Sequence, residues 1–404
     1  MAKYLILGLV LSMFLLSSAE VNDRRLEVER NILSTIFEKY DRRIRPAGLN
    51  NTGPVVVVVD TYVRSINNID DVNMVYDTQL TFRQTWHDDR LKYNNRNFNY
   101  VTLTDPEMLW TPDLFFSNEK SGHFHNMLKP NVLIRIHPDG KILYSLRISL
   151  RLSCPMSLDR YPLDNQVCSM VAASYGYTTD DIEFVWKSIN PVQVSKNLFL
   201  PQFQLKSYTQ DYCTSTTNTG TYSCIKIDLV LSRNSFYYMI QFYMPTACMV
   251  LLSWLVFWLN PKYTTIRFGI ILGVLISSII ITTSIHSRTP QVSYTKASDV
   301  WIGVCVCFIF SVILELCLVV NFLSKEEYSR LQNQLTADEL LGDKNSIRID
   351  DVGKASQVRN IQSAPLKWLN KYSSTAQRID VFSRFLFPAL FAFFNLVYWL
   401  KYAA

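Results

Sequence analysis

The sequence predicts an α+β membrane protein in which a β-sandwich precedes a four-helix transmembrane bundle. Between Val55 and Ser232, many short segments alternate apolar and polar residues, which is typical of strands. Beyond residue 235, four apolar stretches are long enough to cross a hydrocarbon core of ~30 Å. A short apolar run at the N-terminus indicates that the strand-rich half is exported.

Residues 1–19 have the pattern of a secretory signal peptide. Lys3 precedes the apolar run Tyr4–Leu16, and Ser17 and Ala19 are the small residues that signal peptidase requires. A signal anchor is the alternative, but the run is short for a span. We therefore expect a mature chain that begins near residue 20 and whose exported half permits disulfide bonds.

Residues 20–235 form the predicted extracellular domain. Helical periodicity over residues 24–39 predicts a short helix, and turn signals such as Pro138-Asp139-Gly140 separate the alternating segments that follow. Many short strands at this spacing predict a sandwich of roughly 200 residues. Asn50 begins the one glycosylation sequon of the sequence, in a predicted surface loop.

The predicted spans are 236–259, 265–287, 298–323 and 379–402. The export signal places residues 20–235 outside, so residues 324–378 form an intracellular loop. Residues 352–378 contain five basic residues and no acid, which suits the cytoplasmic face of a lipid membrane. We expect a mostly flexible loop, with a helix over 355–378 as an alternative. The net charge of +6 requires no nucleic acid partner.

The second span has an unusual composition. From Phe268 to Ile285 it holds 18 residues without a charge, and several of them, such as Gly273 and Ser277, are small or hydroxylic. Such residues suit helix packing or a wet surface better than lipid. We predict that this helix lines a pore, and a packed helix in a bundle is the alternative.

The cysteines divide between the two halves of the chain. Cys154, Cys168, Cys213 and Cys224 lie in the exported half and allow three pairings, of which 154–168 with 213–224 is the simplest. The remaining four lie in predicted spans, where we expect free thiols: Cys248, Cys305, Cys307 and Cys317.

Two motifs give the chain a family resemblance. Cys154 and Cys168 enclose 13 residues that include Tyr161-Pro162-Leu163-Asp164, and the segment WTPDLFFSNEK lies upstream. With the four spans, the chain resembles subunits of the Cys-loop, or pentameric ligand-gated ion channel, family. It is similar in pattern to glycine receptors and invertebrate glutamate-gated chloride channels. The resemblance implies an immunoglobulin-like extracellular sandwich, a pentamer of identical or homologous subunits, and a plasma membrane location.

The resemblance also implies an agonist site between neighbouring subunits. One face offers Tyr175, Thr219 and Tyr222, and the other offers Arg83 and Ser145. An arginine can clamp a carboxylate, and tyrosines can cup an ammonium group, so the implied agonist is a small amino acid or amine. Ordinary surface and core roles for these side chains are the alternative.

Three departures from the family pattern leave the agonist open. Val58 stands where glutamate-gated relatives carry a second arginine, which disfavours glutamate. Ala173 replaces an acid of glycine-type receptors, and Thr217 replaces an aromatic residue. The pocket is thus expected to bind a different ligand, to bind weakly, or to bind no known agonist.

The resemblance fixes the predicted pore-facing side of the second span. Its residues are Ile266, Arg267, Gly269, Gly273, Ile276, Ile280, Thr283 and Ser287. Ile276 and Ile280 would form a hydrophobic girdle that gates by dewetting. The absence of an acidic ring and the retained arginine predict that the pore conducts chloride. A weakly selective or cation-permeable channel, and an accessory subunit that conducts only in heteromers, are the alternatives.

The extracellular half also contains candidate gating and metal-binding residues. Tyr161 and Pro162 are expected to transmit closure of the 213–224 hairpin to residues 288–297, which join the second and third spans. His123 and His125 face one way on a predicted strand and are a candidate site for modulatory zinc, with packing as the alternative. No cofactor is expected.

The sequence contains no GxSxG, Walker or HExxH motif, which excludes the common enzyme classes. A non-conducting adhesion receptor would need only one span.

Overall fold

The computed structural model describes residues 26–48, 52–94, 98–103, 105–287, 289–342 and 374–402, without the side chains of 337–342. The chain divides into two compact units. One comprises Met1–Met156 with Asn165–Ser232, and the other comprises Ser157–Asp164 with Arg233–Ala404. The predicted signal peptide, the sequon at Asn50 and residues 343–373 of the predicted loop lie outside the described residues.

The first unit contains a helix, α1 (residues 26–37), followed by strands. Within its described residues the strands are β1 (Val55–Asp70), β2 (Val75–His87), β3 (Val101–Leu103), β4 (Leu114–Phe116), β5 (Glu119–Phe124), β6 (Val132–Ile136), β7 (Lys141–Ser153), β8 (Asn165–Ser174), β9 (Ile182–Trp186), β10 (Val192–Val194), β11 (Phe203–Tyr212), β12 (Ser215–Thr217), β13 (Gly220–Tyr222) and β14 (Cys224–Arg233).

Two main sheets form the predicted sandwich. The larger has the order β10-β1-β2-β7-β6-β3, with β5 paired to β7 and β9 paired to β1. The smaller has the order β11-β14-β8-β4, and β12 and β13 form a separate hairpin. The alternation along β1, β2 and β7 gives the larger sheet one buried and one partly exposed face.

The sandwich core consists of the inward-facing side chains of both sheets. Val57, Val59 and Leu80 of the larger sheet and Leu229 of the smaller one are completely buried. The rings of Phe82 and Phe116 meet edge to face across the sheets, with centroids 5.5 Å apart. Each such apolar side chain contributes about 2 kcal/mol when it is buried.

Two disulfides join cysteines of the first unit. Cys154 is bonded to Cys168, and Cys213 is bonded to Cys224, which confirms the predicted pairing. The four cysteines of the predicted spans are free, also as predicted. The second disulfide ties the ends of the segment that contains the β12–β13 hairpin.

In the described residues of the second unit, four helices are long and apolar enough to cross a membrane. They are α2 (Ser235–Trp258), α3 (Thr264–His286), α4 (Ala297–Gly342) and α5 (Thr375–Tyr402). In α2 a π-helical turn over Met239–Tyr243 precedes Pro245. Because proline donates no hydrogen bond, a local change of helical register there is expected.

Aromatic and aliphatic side chains fill the space between these helices. Trp301 of α4 donates a hydrogen bond from Nε1 to Oγ1 of Thr246, at 2.9 Å. The hydroxyls of Tyr243 and Tyr398 lie 2.8 Å apart, and Tyr398 also donates to the Ala297 carbonyl oxygen at 3.0 Å. These bonds satisfy polar groups in a part of the bundle where water cannot.

The helix that contains the third predicted span continues beyond residue 323. The predicted flexible loop is therefore wrong for residues 324–342, because α4 continues to Gly342. Those residues contain many helix formers and no proline, and glycine commonly follows a helix end. The last helix begins at Thr375, and the alternative helix over 355–378 falls mostly outside the described residues.

Candidate functional site

Tyr175 lies in a loop that a partly buried hydrogen-bond network holds in place. The Asp113 carboxylate accepts hydrogen bonds from the backbone N–H groups of Tyr175, Gly176 and Tyr177 and from the Ser174 hydroxyl, at 2.6–3.2 Å. The Tyr175 side chain itself is 78% exposed, with its ring 5.5 Å from that of Phe115. The loop is therefore fixed while its aromatic side chain faces outward. Asp113 is not among the residues that the sequence predicts for the site.

Thr219 and Tyr222 lie on the β12–β13 hairpin beside this loop. The Thr219 hydroxyl and the Tyr222 hydroxyl are 2.8 Å apart. The N–H of Thr179 donates to the carbonyl oxygen of Thr221 at 2.9 Å, which ties the hairpin to the segment after Tyr175. A Cβ at Gly220 would lie 2.8 Å from the Thr178 side chain, so the close approach requires glycine.

Arg83 and Ser145 lie on the partly exposed face of the larger sheet. They are register partners on β2 and β7, and Arg83 is also the partner of Asp60 on β1. Arg83 forms an ion pair with Asp60, with Nη1 3.0 Å from Oδ2. This pairing is not predictable from the sequence alone, because it depends on strand register. Val58, two residues before Asp60, lies on the same face and pairs with Thr85.

The predicted pocket residues thus form two half-sites in one chain. Tyr175, Thr219 and Tyr222 gather at one end of the smaller sheet, while Arg83 and Ser145 lie on the larger sheet. One half presents aromatic and hydroxyl groups, and the other presents a guanidinium that a carboxylate partly neutralises. Each half alone offers a single face rather than an enclosed pocket.

His123 and His125 lie close together at the end of β5. Their ring centroids are 5.2 Å apart, and Nε2 of His125 is 2.9 Å from the Ser149 hydroxyl. Burial and then the charge of Arg147 lower the pKa of His125. Among the described residues, no group of three or more His, Cys, Asp or Glu side chains could hold a metal ion. Zinc binding at this pair stays a prediction.

The helix α3 packs through one face and exposes the opposite one. Its buried residues are Arg267, Ile271, Val274 and Ser278. Ile276 and Ile280 of the predicted girdle are 50% and 63% exposed, and Ile266, Gly269, Gly273, Thr283 and Ser287 are exposed as well. This exposed stripe is available to line a pore when further subunits are present.

The predicted pore role of Arg267 is wrong. Its side chain is completely buried and forms an ion pair with Asp380 on α5, with Nη2 2.7 Å from Oδ1. Nε and Nη2 also donate to the Val256 carbonyl oxygen, at 3.0 and 2.9 Å. Arg267 precedes Gly269 by two residues, which is about 200° around a helix, so the two cannot face the same side.

Tyr161 and Pro162 belong to the same compact unit as the membrane helices. The Tyr161 ring is buried against Tyr238, at 5.5 Å between centroids, and the Arg233 guanidinium lies 4.6 Å from its centre. Arg233 also donates twice to the Asp164 carboxylate, at 2.7 and 3.2 Å. The disulfide loop is therefore anchored to the start of α2.

The same loop caps the beginning of α4. The N–H of Ala297 donates to the Asp159 carbonyl oxygen at 2.9 Å, and the N–H of Ser298 donates to that of Tyr161 at 3.1 Å. The first N–H groups of a helix have no partner within it, so these bonds satisfy them. A displacement of the loop would pull directly on this helix end.

Comparison with known proteins covers both units of the chain. A family model described as neurotransmitter-gated ion-channel ligand binding domain matches residues 29–235, and one described as neurotransmitter-gated ion-channel transmembrane region matches residues 242–347. A glutamate-gated chloride channel of Drosophila melanogaster is 44% identical over 96% of this chain and 94% of its own length. A glutamate-gated chloride channel subunit beta of Haemonchus contortus is 34% identical over 99% of this chain and 98% of its own length.

Proposed function

We propose, because the chain belongs to the neurotransmitter-gated ion-channel family, that it is a subunit of a chloride channel opened by a small amino acid or amine bound between subunits. Channels of this family are pentamers in the plasma membrane, with an extracellular ligand-binding domain and four transmembrane helices. The chain is accordingly a membrane receptor and not an enzyme.

The observation that carries the proposal is the similarity over both units to two glutamate-gated chloride channels. The pore helix is consistent with anions, because no acidic residue lies between Thr264 and His286. The N-terminus of α3, next to the exposed Ile266, carries the positive end of the helix dipole. Since Arg267 is buried and paired, the arginine side chain does not supply this preference.

The two half-sites support an agonist that has an anionic group and an ammonium group. Tyr175 and Tyr222 can attract the ammonium, and Arg83 with Ser145 can bind a carboxylate. In a pentamer the first half of one subunit would face the second half of its neighbour. This arrangement explains why a single chain carries both halves on separate sheets.

The test is expression of this chain alone in oocytes under voltage clamp. Small amino acids, amines, protons and zinc are applied in turn, and the reversal potential of any current is measured while external chloride is replaced by a large anion. A reversal potential that follows chloride is expected. One that follows sodium would overturn the anion proposal. Current that requires a co-expressed homologue would identify an accessory subunit.

A modulatory zinc ion at His123 and His125 is a further part of this proposal. His123 is exposed, and its ring lies beside that of His125. Zinc at micromolar concentration should change the agonist response of the wild-type channel, and the change should be absent in His123→Ala. An unchanged zinc response in that variant would exclude the pair.

A further inference from the structure

Two arginines on the partly exposed face of the larger sheet have no acidic partner among the described residues. Arg64 donates from Nε to the Thr81 hydroxyl at 2.7 Å, and Arg147 donates from Nη2 to the Gln79 side-chain oxygen at 2.9 Å. Neither guanidinium lies within 4.0 Å of a carboxylate in the part of the chain that the structure describes. Both positive charges are therefore held by neutral groups.

These arginines lie next to the Arg83 half-site. Thr81 pairs with Arg147 across β2 and β7, just as Arg83 pairs with Ser145, so the two rows are two residues apart along the strands. They line a cavity of about 260 Å³ that Ser145 also lines.

The electrostatics of this cavity favour an anion. The Nε atom of Arg147 is buried and has no hydrogen-bond partner among the residues that the structure describes, which is costly for a charged donor. On the same face Arg83 is partly neutralised by Asp60, but no described acidic side chain forms an ion pair with Arg64 or Arg147. Burial, followed by the charges of Arg147, His123 and Arg64, lowers the pKa of His125 nearby.

We propose that Arg64 and Arg147 form a second anion subsite that binds the further carboxylate of a dicarboxylic ligand whose first carboxylate lies at Arg83 and Ser145. This inference rests on the proposed function, which places a ligand on this face. Positions two residues apart on a strand are separated by about 7 Å, a gap that a dicarboxylic amino acid can bridge because arginine side chains are long enough to reach toward the ligand. Arg64 and Arg147 would thus supply, from other strand positions, the positive charge that an arginine supplies in glutamate-gated relatives where this chain has Val58.

The experiment measures binding to the purified full-length channel by isothermal titration calorimetry. The probes are glutamate and glutamine, which differ only in that an amide replaces the second carboxylate. The wild type should bind glutamate about tenfold or more tightly than glutamine, because charge-assisted hydrogen bonds are strong. In the double variant Arg64→Gln/Arg147→Gln the ratio should fall to about threefold or less, whereas Arg147→Lys alone should keep part of it.

Arg151→Gln is the matched control, since Arg151 lies on the same face of β7 but pairs with Asp77. It should keep the wild-type ratio. The subsite is overturned if the wild type binds both probes alike or binds neither, if the ratio survives in the double variant, or if Arg151→Gln loses it equally. Failure of the proposed function is distinguishable, because a channel that prefers glutamate but passes no chloride current would refute only that proposal.

Discussion

Arg267 of α3 and Asp380 of α5 form an ion pair that is buried inside the helix bundle, with Nη2 2.7 Å from Oδ1. Glu315 of α4 is also buried nearby and interacts electrostatically with both. A buried guanidinium cannot attract ions in a pore, but it can fix the position of α3 against α5. The charge at this position is therefore a structural element of the bundle.

Asp380→Asn should destabilise the assembled channel strongly. The change leaves the Arg267 guanidinium with less compensation, and breaking a buried pair typically costs about 3–5 kcal/mol. The melting temperature of the detergent-solubilised channel, followed by size-exclusion chromatography, should fall clearly. Arg267→Gln should lower the melting temperature by a similar amount. The double variant should lose less stability than the sum of the two single losses, because the two groups interact.

Glu327→Gln is the control for this change, because Glu327 is exposed on α4. It should melt within a degree or two of the wild type. Additive losses in the double variant would mean that Arg267 and Asp380 do not depend on each other in the folded channel.

Ile266→Glu should move the permeability of the channel toward cations. Ile266 is 56% exposed at the start of α3, and five copies of a glutamate there would place an acidic ring at one mouth of the proposed pore. The reversal potential should cease to follow chloride. Ile266→Gln adds a similar volume without the charge and should leave selectivity unchanged. If the glutamate variant still follows chloride, the selectivity filter lies elsewhere.

The sequence predicted the features that depend on local patterns. Alternation predicted the strands, hydropathy predicted the four spans, and proximity in sequence predicted both disulfides. The position of Arg267 could have been predicted too, because it stands two residues from Gly269 and so faces the other side of the helix. The Arg83–Asp60 pair could not, since residues 23 positions apart meet only through the register of β1 and β2.

Asp60→Asn should strengthen binding of a ligand carboxylate at Arg83. In the wild type the Asp60 carboxylate already occupies one guanidinium nitrogen, at 3.0 Å, and opposes a second anion. Removing that charge should raise the affinity for glutamate about three- to tenfold, measured by calorimetry on the purified channel. Asp77→Asn, which alters an acid farther along the same face of β2, is the control. A loss of affinity in Asp60→Asn would instead identify Asp60 as the residue that orients Arg83.

Tyr40 should make the extracellular domain sensitive to alkaline pH. Burial raises its pKa to about 12. Its hydroxyl accepts a hydrogen bond from the backbone N–H of Trp110 and donates one to the Asp88 carboxylate. The unfolded chain loses this proton near pH 10, whereas the folded chain keeps it until about pH 12. Its contribution to stability is thus complete below pH 10 and is lost as the pH rises through 12.

The measurement for Tyr40 is the melting temperature of the purified channel between pH 8 and pH 11. Wild type should lose stability above pH 10 more steeply than Tyr40→Phe, which is less stable at pH 8 but lacks this titration. Tyr208→Phe, an exposed position, should keep the wild-type slope. Equal slopes for wild type and Tyr40→Phe would show that other groups cause the alkaline loss.

Pro162→Ala should reduce the efficacy of an agonist more than its binding. Pro162 lines a cavity of about 420 Å³ together with Ile281 and Ile285 of the pore helix, and the adjacent Tyr161 carbonyl oxygen accepts from Ser298 at the start of α4. Loss of the ring should loosen the link between the disulfide loop and both helices, while Tyr175 and Tyr222 keep their own supports. The maximal current per surface channel should fall several-fold, with the dissociation constant of the agonist measured on purified channel little changed.

Pro191→Ala, a buried proline of the sandwich, controls for the loss of a proline ring and should leave the ratio of efficacy to affinity as it is in the wild type. Equal losses of current and binding in Pro162→Ala would show that the loop supports the ligand-binding domain and does not transmit its movement.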